Sequence, residues 1–137
     1  MKTHSYNILL AEDDPAISLI VSTILRRMGH SVEVVHNGKE AILEFTLRPA
    51  HYHILITDHD MPMVSGLEVV QHLRKNEFAG KIIVMSGSLT EELLHSYRSR
   101  RVNKILQKPF TLQTLSNSLS ELFDRWHGNP GEEDSGI

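Results

Sequence analysis

Ile8-Leu9-Leu10-Ala11-Glu12-Asp13-Asp14-Pro15 carries the chain from one kind of secondary structure to another within eight residues. Its first four residues are apolar without alternation, the pattern of a strand covered on both faces. Its end is a helix start: the Asp14 carboxylate suits an N-cap, and Pro15 suits the first helical position, where no amide hydrogen is needed. Ile17, Ile20, Val21, Ile24, Leu25 and Met28 then recur at helical spacing, and Gly29 ends the run. The stretch reads as strand, acidic turn, helix.

Outward from it the unit repeats. Largely apolar runs at Val32 to Val35, Ile54 to Ile56, Ile82 to Met85 and Ile105-Leu106 are short and rich in β-branched residues, as in strands buried on both faces. Weaker helical patterns separate them, over Gly38 to Leu47, Ser65 to Asn76 and Thr90 to Arg98. A final stripe of Leu112, Leu115, Leu119, Leu122, Phe123 and Trp126, opened by Thr111 and followed by Gly128, predicts a helix packed along the sheet. Five strands each followed by a helix give a (βα)5 α/β fold, a doubly wound five-stranded parallel sheet with right-handed crossovers and helices on both faces. Ligands of such sheets bind beyond the carboxyl ends of the strands.

With 137 residues, 40% of them hydrophobic and 23% charged, the chain has the size and balance of one folded domain. We expect that domain over residues 1–126, and over 127–137, rich in Gly, Pro and acid, a disordered tail or the start of a linker. The absence of cysteine excludes disulfides, thiolate metal sites and cysteine catalysis. Met1 to Asn7 holds no apolar signal core, and no stretch approaches the roughly 20 apolar residues of a membrane span. The expectation is a cytoplasmic protein without membrane contact. Glu132, Glu133 and Asp134 account for the net charge of −3, so the body is neutral and direct nucleic-acid binding is not expected.

Chemistry collects at the predicted strand ends. Glu12-Asp13-Asp14 follows the first strand, Asp58 the third, Ser86 the fourth and Lys108 the fifth. Carboxylates gathered there resist ionising unless a cation compensates. Mg²⁺ suits the task, since it accepts a few carboxylates and leaves room for phosphate oxygens, and a lysine ammonium suits the same phosphate. The set points to phosphoryl transfer with Asp58 as nucleophile, Ser86 as a hydrogen-bonding hydroxyl and the rest neutralising charge.

These residues resemble the response-regulator receiver domain of bacterial two-component signalling. Ile8 to Pro15 matches its acidic opening, Asp58-His59-Asp60-Met61-Pro62 with Gly66 its phosphoacceptor loop, and Lys108-Pro109-Phe110 its closing motif. The resemblance runs from about Asn7 to Trp126 and implies the flavodoxin-like strand order 2-1-3-4-5. It implies Asp58 as phosphoacceptor, Mg²⁺ held by the carboxylates of Asp13 and Asp58 and the backbone carbonyl of Asp60, and Glu12 acting through water. Ser86 and Lys108 take the places of the family's hydroxyl and lysine, Asp14 keeps its capping role, and Lys108-Pro109 resembles a bond that is cis in the family. The implied partners are a sensor histidine kinase or phosphotransfer protein, then an effector or second copy meeting the face of the fourth helix, fifth strand and fifth helix. The chain is then a stand-alone receiver or the receiver portion of a longer one.

Three positions depart from the pattern. Ile105 replaces the usual aromatic three residues before the lysine, so we expect the signal to travel through Ser86 and the loop to the fourth helix. Gly87 replaces a common Ala, which should open the pocket. The interval from Asp58 to Ser86 is about two residues short, which should leave the site intact. The nine histidines, His51 and His53 among them, read as ordinary surface or rim residues, with His59 placed to tune access to the pocket. Arg98, Arg100, Arg101 and Lys104 read as a solvated basic face. Two rival functions remain open. One is a phosphatase of the haloacid dehalogenase type, whose Asp-x-Asp signature Asp58-His59-Asp60 satisfies, although its acidic pair comes last in the chain rather than first. The other is a receiver-like interaction module that is never phosphorylated.

Overall fold

The computed structural model describes residues 5–125, with side chains described to Leu122. Ten elements alternate: β1 (Asn7–Ala11), α1 (Pro15–Arg27), β2 (Ser31–Val35), α2 (Gly38–Leu47), β3 (Ile54–Asp58), α3 (Gly66–Lys75), β4 (Lys81–Ser86), α4 (Glu91–Arg98), β5 (Lys104–Gln107) and α5 (Leu112–Arg125). The strands form one parallel sheet in the order β2-β1-β3-β4-β5, the expected flavodoxin-like arrangement. Trp126, Gly128 and the tail over 127–137 lie outside the described residues.

Strand parity divides the interior in two. Ile8 and Leu10 of β1, Ile54 and Ile56 of β3, and Ile83 and Met85 of β4 join Val21 and Leu25 of α1 and Leu115, Leu119 and Leu122 of α5. Leu9, Leu55, Ile82 and Val84 face the other way, toward Phe45 of α2, Val69, Val70 and Leu73 of α3, and Tyr97 of α4. This double coverage explains the unbroken apolar runs. It does not extend to the sheet edges: Ser31 and Glu33 of β2 and Gln107 of β5 are exposed, so the expectation of strands buried on both faces holds for the three central strands only.

Local chemistry sets the helix ends. Asp14 Oδ1 accepts from Ala16 N at 2.8 Å, Pro15 opens α1, and Gly29 follows it with φ +98°, a left-handed value that glycine adopts without strain. Ser65 and Glu68 form a reciprocal capping box on α3, Thr90 caps α4, and Thr111 Oγ1 accepts from Thr114 N at 3.0 Å. Two stripe positions correct the sequence reading: Ile20 is 44% and Leu112 60% exposed, so each helix buries a narrower face than its apolar pattern suggests. Only Tyr97 is buried on α4. Beyond α4, the chain is held from α3, where the Arg74 guanidinium donates to the carbonyls of Phe78, Gly80, Arg100 and Arg101. No helix among the described residues is long and apolar enough to cross a membrane.

Two histidines are structural, which corrects their reading as surface or rim groups. His30 Nδ1 accepts from Tyr6 N at 3.1 Å and His53 Nδ1 from Asn7 N at 2.9 Å, near the start of β1. An imidazole nitrogen that accepts carries no proton. Burial lowers the pKa of His30 and, with help from His51, that of His53. Folded values below the ordinary histidine value contribute stability that is present above it and lost as pH falls through them.

The approach of α3 to β3 depends on a missing side chain: a Cβ on Gly66 would lie 2.3 Å from Asp58 O and 2.9 Å from His59 Cα, while one on Gly87 would meet nothing within 4 Å. Gly66→Ala is therefore expected to destabilise by about 2–4 kcal/mol in urea unfolding, and Gly87→Ala by less than about 1 kcal/mol. Equal effects would refute this packing argument. Replacing His30 by Gln is expected to lessen the loss of stability between pH 7 and pH 5 relative to wild type, read as the difference in urea midpoints; parallel pH profiles would contradict it.

Candidate functional site

At the carboxyl edge of the sheet, β1, β3 and β5 deliver three charged groups to one point. Lys108 Nζ lies 2.9 Å from Glu12 Oε1 and 3.0 Å from Asp58 Oδ1. Glu12 and Asp58 are buried, at 0% and 2% exposure, whereas Asp13 is exposed. Carboxylate oxygens of Glu12, Asp13 and Asp58 lie within 4.8 Å of one another, the one group among the described residues with the makings of a cation site. Asp14 N donates to Glu12 Oε2 at 3.0 Å, so the residue that caps α1 also orients the acid before it.

Backbone bonds fix these ends. Glu12 N donates to Val35 O, His59 N to Met85 O at 2.8 Å, Gly66 N to His59 O at 2.9 Å and Lys108 N to Ser86 O at 2.7 Å. Asp58 pairs in register with Met85, so the short interval between Asp58 and Ser86 leaves β3 and β4 aligned at the site. Ser86 is buried and its Oγ accepts from Ser88 N at 3.2 Å. Asp60 is exposed in the loop after β3. The Lys108-Pro109 bond is cis.

Burial is the first cause raising the pKa of Glu12, against the opposing pull of Asp14 N–H and Lys108, with Asp58 raising it further. Burial likewise raises Asp58 most; Lys108 opposes, and Asp13 and Asp60 add. For Lys108, burial acts to lower the ammonium, but the bonds to Glu12 and Asp58 outweigh it and hold it above its ordinary value. One ammonium thus faces more negative charge than it offsets. Asp58 Oδ1 is buried with no aligned hydrogen bond; its contact with Lys108 is ionic. An under-compensated acidic cluster with a free carboxylate lone pair fits a hard divalent cation such as Mg²⁺.

Sequence reasoning missed one partner. Tyr97, fully buried, places its hydroxyl 2.5 Å from His59 Nδ1, with the rings edge to face at 5.6 Å. The signal available was its place one helical turn after Leu93, on the apolar face of α4. Ile105 packs partly buried against the same core cluster. The basic run is divided: Arg98 and Arg101 are exposed, the Arg100 guanidinium donates to Ser96 O, and Lys104 Nζ lies 2.7 Å from Glu121 of α5. Beside the acidic cluster, Ile17, Ile20, Gly87, Lys108, Phe110 and Leu112 border a mostly apolar cavity of about 600 Å³.

A family model for the response regulator receiver domain matches residues 8–120. Sensor protein EvgS of Escherichia coli is 30% identical over 124 residues, 90% of this chain and 10% of that protein. Two-component response regulator ARR22 of Arabidopsis thaliana is 26% identical over 125 residues, 90% of this chain and 88% of that protein. The chain spans less than a fifth of the length of the first curated relatives it matches. Among solved structures, chemotaxis protein CheY4 of Vibrio cholerae has a TM-score of 0.76 at 26% identity, covering 86% of this chain and 98% of that one.

Raised carboxyl values contribute stability that is complete below the ordinary values of Asp and Glu and lost as pH rises through the raised ones. At neutral pH, without a cation, the two carboxyl groups therefore contribute less stability than in acid, while the raised Lys108 ammonium contributes its own. Asp58→Asn is expected to stabilise the metal-free protein at pH 7 by on the order of 1 kcal/mol, and Mg²⁺ to raise the melting temperature of wild type more than that of the variant. A variant less stable than wild type under metal-free conditions would overturn this account.

Proposed function

The chain belongs to the response regulator receiver domains, and on that premise we propose that it is a phosphorylation-dependent switch whose acceptor is Asp58. The donor is the phosphohistidine of a sensor histidine kinase or phosphotransfer protein. An Asp58 carboxylate oxygen forms the new bond to phosphorus, the bond from phosphorus to the donor imidazole nitrogen breaks, and that nitrogen takes up a proton. The carboxylate is already the nucleophile, so no separate general base is required.

The observation that carries the reading is the Lys108 ammonium shared between buried Glu12 and Asp58, at 2.9 and 3.0 Å. Fixed at the strand ends, it compensates the acceptor and is available to an incoming phosphoryl oxygen. Asp13, Asp58 and the Asp60 carbonyl would hold Mg²⁺, with Glu12 acting through water. The ion would neutralise charge developing on the transferred group. Ser86 would donate its hydroxyl to a phosphoryl oxygen, its oxygen already accepting from Ser88 N. The new charge biases the surface of α4, β5 and α5 toward a downstream effector or a second copy of the chain. The presence of a similar stretch within a sensor protein supports a partner in the same signalling chemistry, and the proposed site of action is cytoplasmic.

Intact mass after incubation with acetyl phosphate and Mg²⁺ tests the reading. A single phosphoryl adduct is expected, absent from Asp58→Asn and from a Mg²⁺-free control. Wild type that binds Mg²⁺ yet stays unmodified would favour a receiver-like interaction module that is never phosphorylated.

A further inference from the structure

The fourth helix is joined to the core by one fully buried side chain, and the polar tip of that side chain reaches the residue beside the proposed acceptor. Tyr97 is the only buried residue of α4. Its ring packs in the cluster with Leu73, Ile82 and Val84 while its hydroxyl lies 2.5 Å from His59 Nδ1. A phenol with no exposed surface must place its proton on a partner. His59 Nδ1 is the hydrogen-bond partner found for it among the described residues; with the imidazole in its Nε2–H tautomer the hydroxyl donates and Nδ1 accepts.

The main chain of His59 is held on both sides, by His59 N to Met85 O and Gly66 N to His59 O. The ring is therefore the part of His59 free to respond to a change beside it. His59 lies between Asp58 and Asp60 in the chain, and burial foremost, then the charges of those two carboxylates, raises the pKa of the Tyr97 hydroxyl. Ile105, which borders the same cluster, offers no polar atom with which to sense the pocket.

We propose that the Tyr97 to His59 hydrogen bond is the linkage by which the state of the Asp58 pocket is transmitted to α4. Tyr97 acts as a positioning residue: a phosphoryl group on Asp58 displaces the His59 ring, and the phenol bonded to it carries that displacement into the helix. The inference rests on the proposed acceptor role of Asp58.

Amide shifts of residues 91–98, recorded with Mg²⁺ before and after acetyl phosphate, test the linkage, with adduct formation checked by mass in each sample. Tyr97→Phe keeps the ring and loses the hydroxyl. It is expected to accept the phosphoryl group while its shift changes across α4 fall at least twofold from wild type. His59→Asn, whose amide oxygen can stand where Nδ1 stands, is expected to preserve the response, and His59→Leu to lose it; this pair decides the matter if Tyr97→Phe does not fold. Adduct formation with wild-type shift changes in both Tyr97→Phe and His59→Leu would overturn the linkage alone. Absence of an adduct on wild type would overturn the acceptor role and the linkage with it.

Discussion

Two carboxylates buried side by side, Glu12 and Asp58, are compatible with a folded interior because the Lys108 ammonium lies between them. The three groups come from residues up to 96 positions apart in the chain. Their meeting requires β1, β3 and β5 to end at the same level, which parallel pairing in register provides. The ion cluster is poor stabilisation, since desolvating three charges consumes most of what their attraction returns. It makes sense as a site held ready, with the surplus negative charge awaiting a cation and the ammonium awaiting an anion. The two apolar cores supply the stability that this arrangement draws on.

Much of this was legible in the sequence. The central strands announced themselves because burial on both faces forces continuous apolar runs, and the helix starts because Asp14, Ser65 and Thr90 are residues that cap. The meeting of Glu12, Asp58 and Lys108 was legible from topology, since each follows a strand of a parallel sheet. Edge exposure of β2 and β5 was not read, although Glu33 within Val32 to Val35 marks an outward face; Ile105-Leu106 is too short to show one until its neighbours are known. The exposure of Ile20 and Leu112 escaped for a similar reason: helical spacing gives the direction of an apolar face but not the width of the partner it meets.

His30, His53 and Tyr97 were hidden for a different reason. An imidazole that accepts a backbone amide bond, or a phenol that reaches across from another element, depends on pairs distant in sequence, and no local pattern names the partner. Tyr97 and His59 are separated by 38 residues. Residue type alone left His59 at the pocket rim, and only the packing of α4 against β4 and α3 supplies its neighbour.

The Arg74 guanidinium, bonded to four carbonyls on the segments around residues 78–80 and 100–101, has a mechanical consequence. It clamps the chain immediately after α4, whereas the stretch before the helix, Gly87 and Ser88, is exposed. Helix α4 is thus anchored chiefly near its C-terminal end; toward the other end, the partly buried Leu93 is its contact with the core. Tyr97 lies close to the anchor, and Glu91 lies six residues away, a lever arm of about 9 Å at the helical rise of 1.5 Å per residue. A small rotation at the anchored end sweeps the exposed Glu91 and Glu92 through the larger arc. Such a geometry turns a small displacement at the buried end of α4 into a larger displacement of its surface charge.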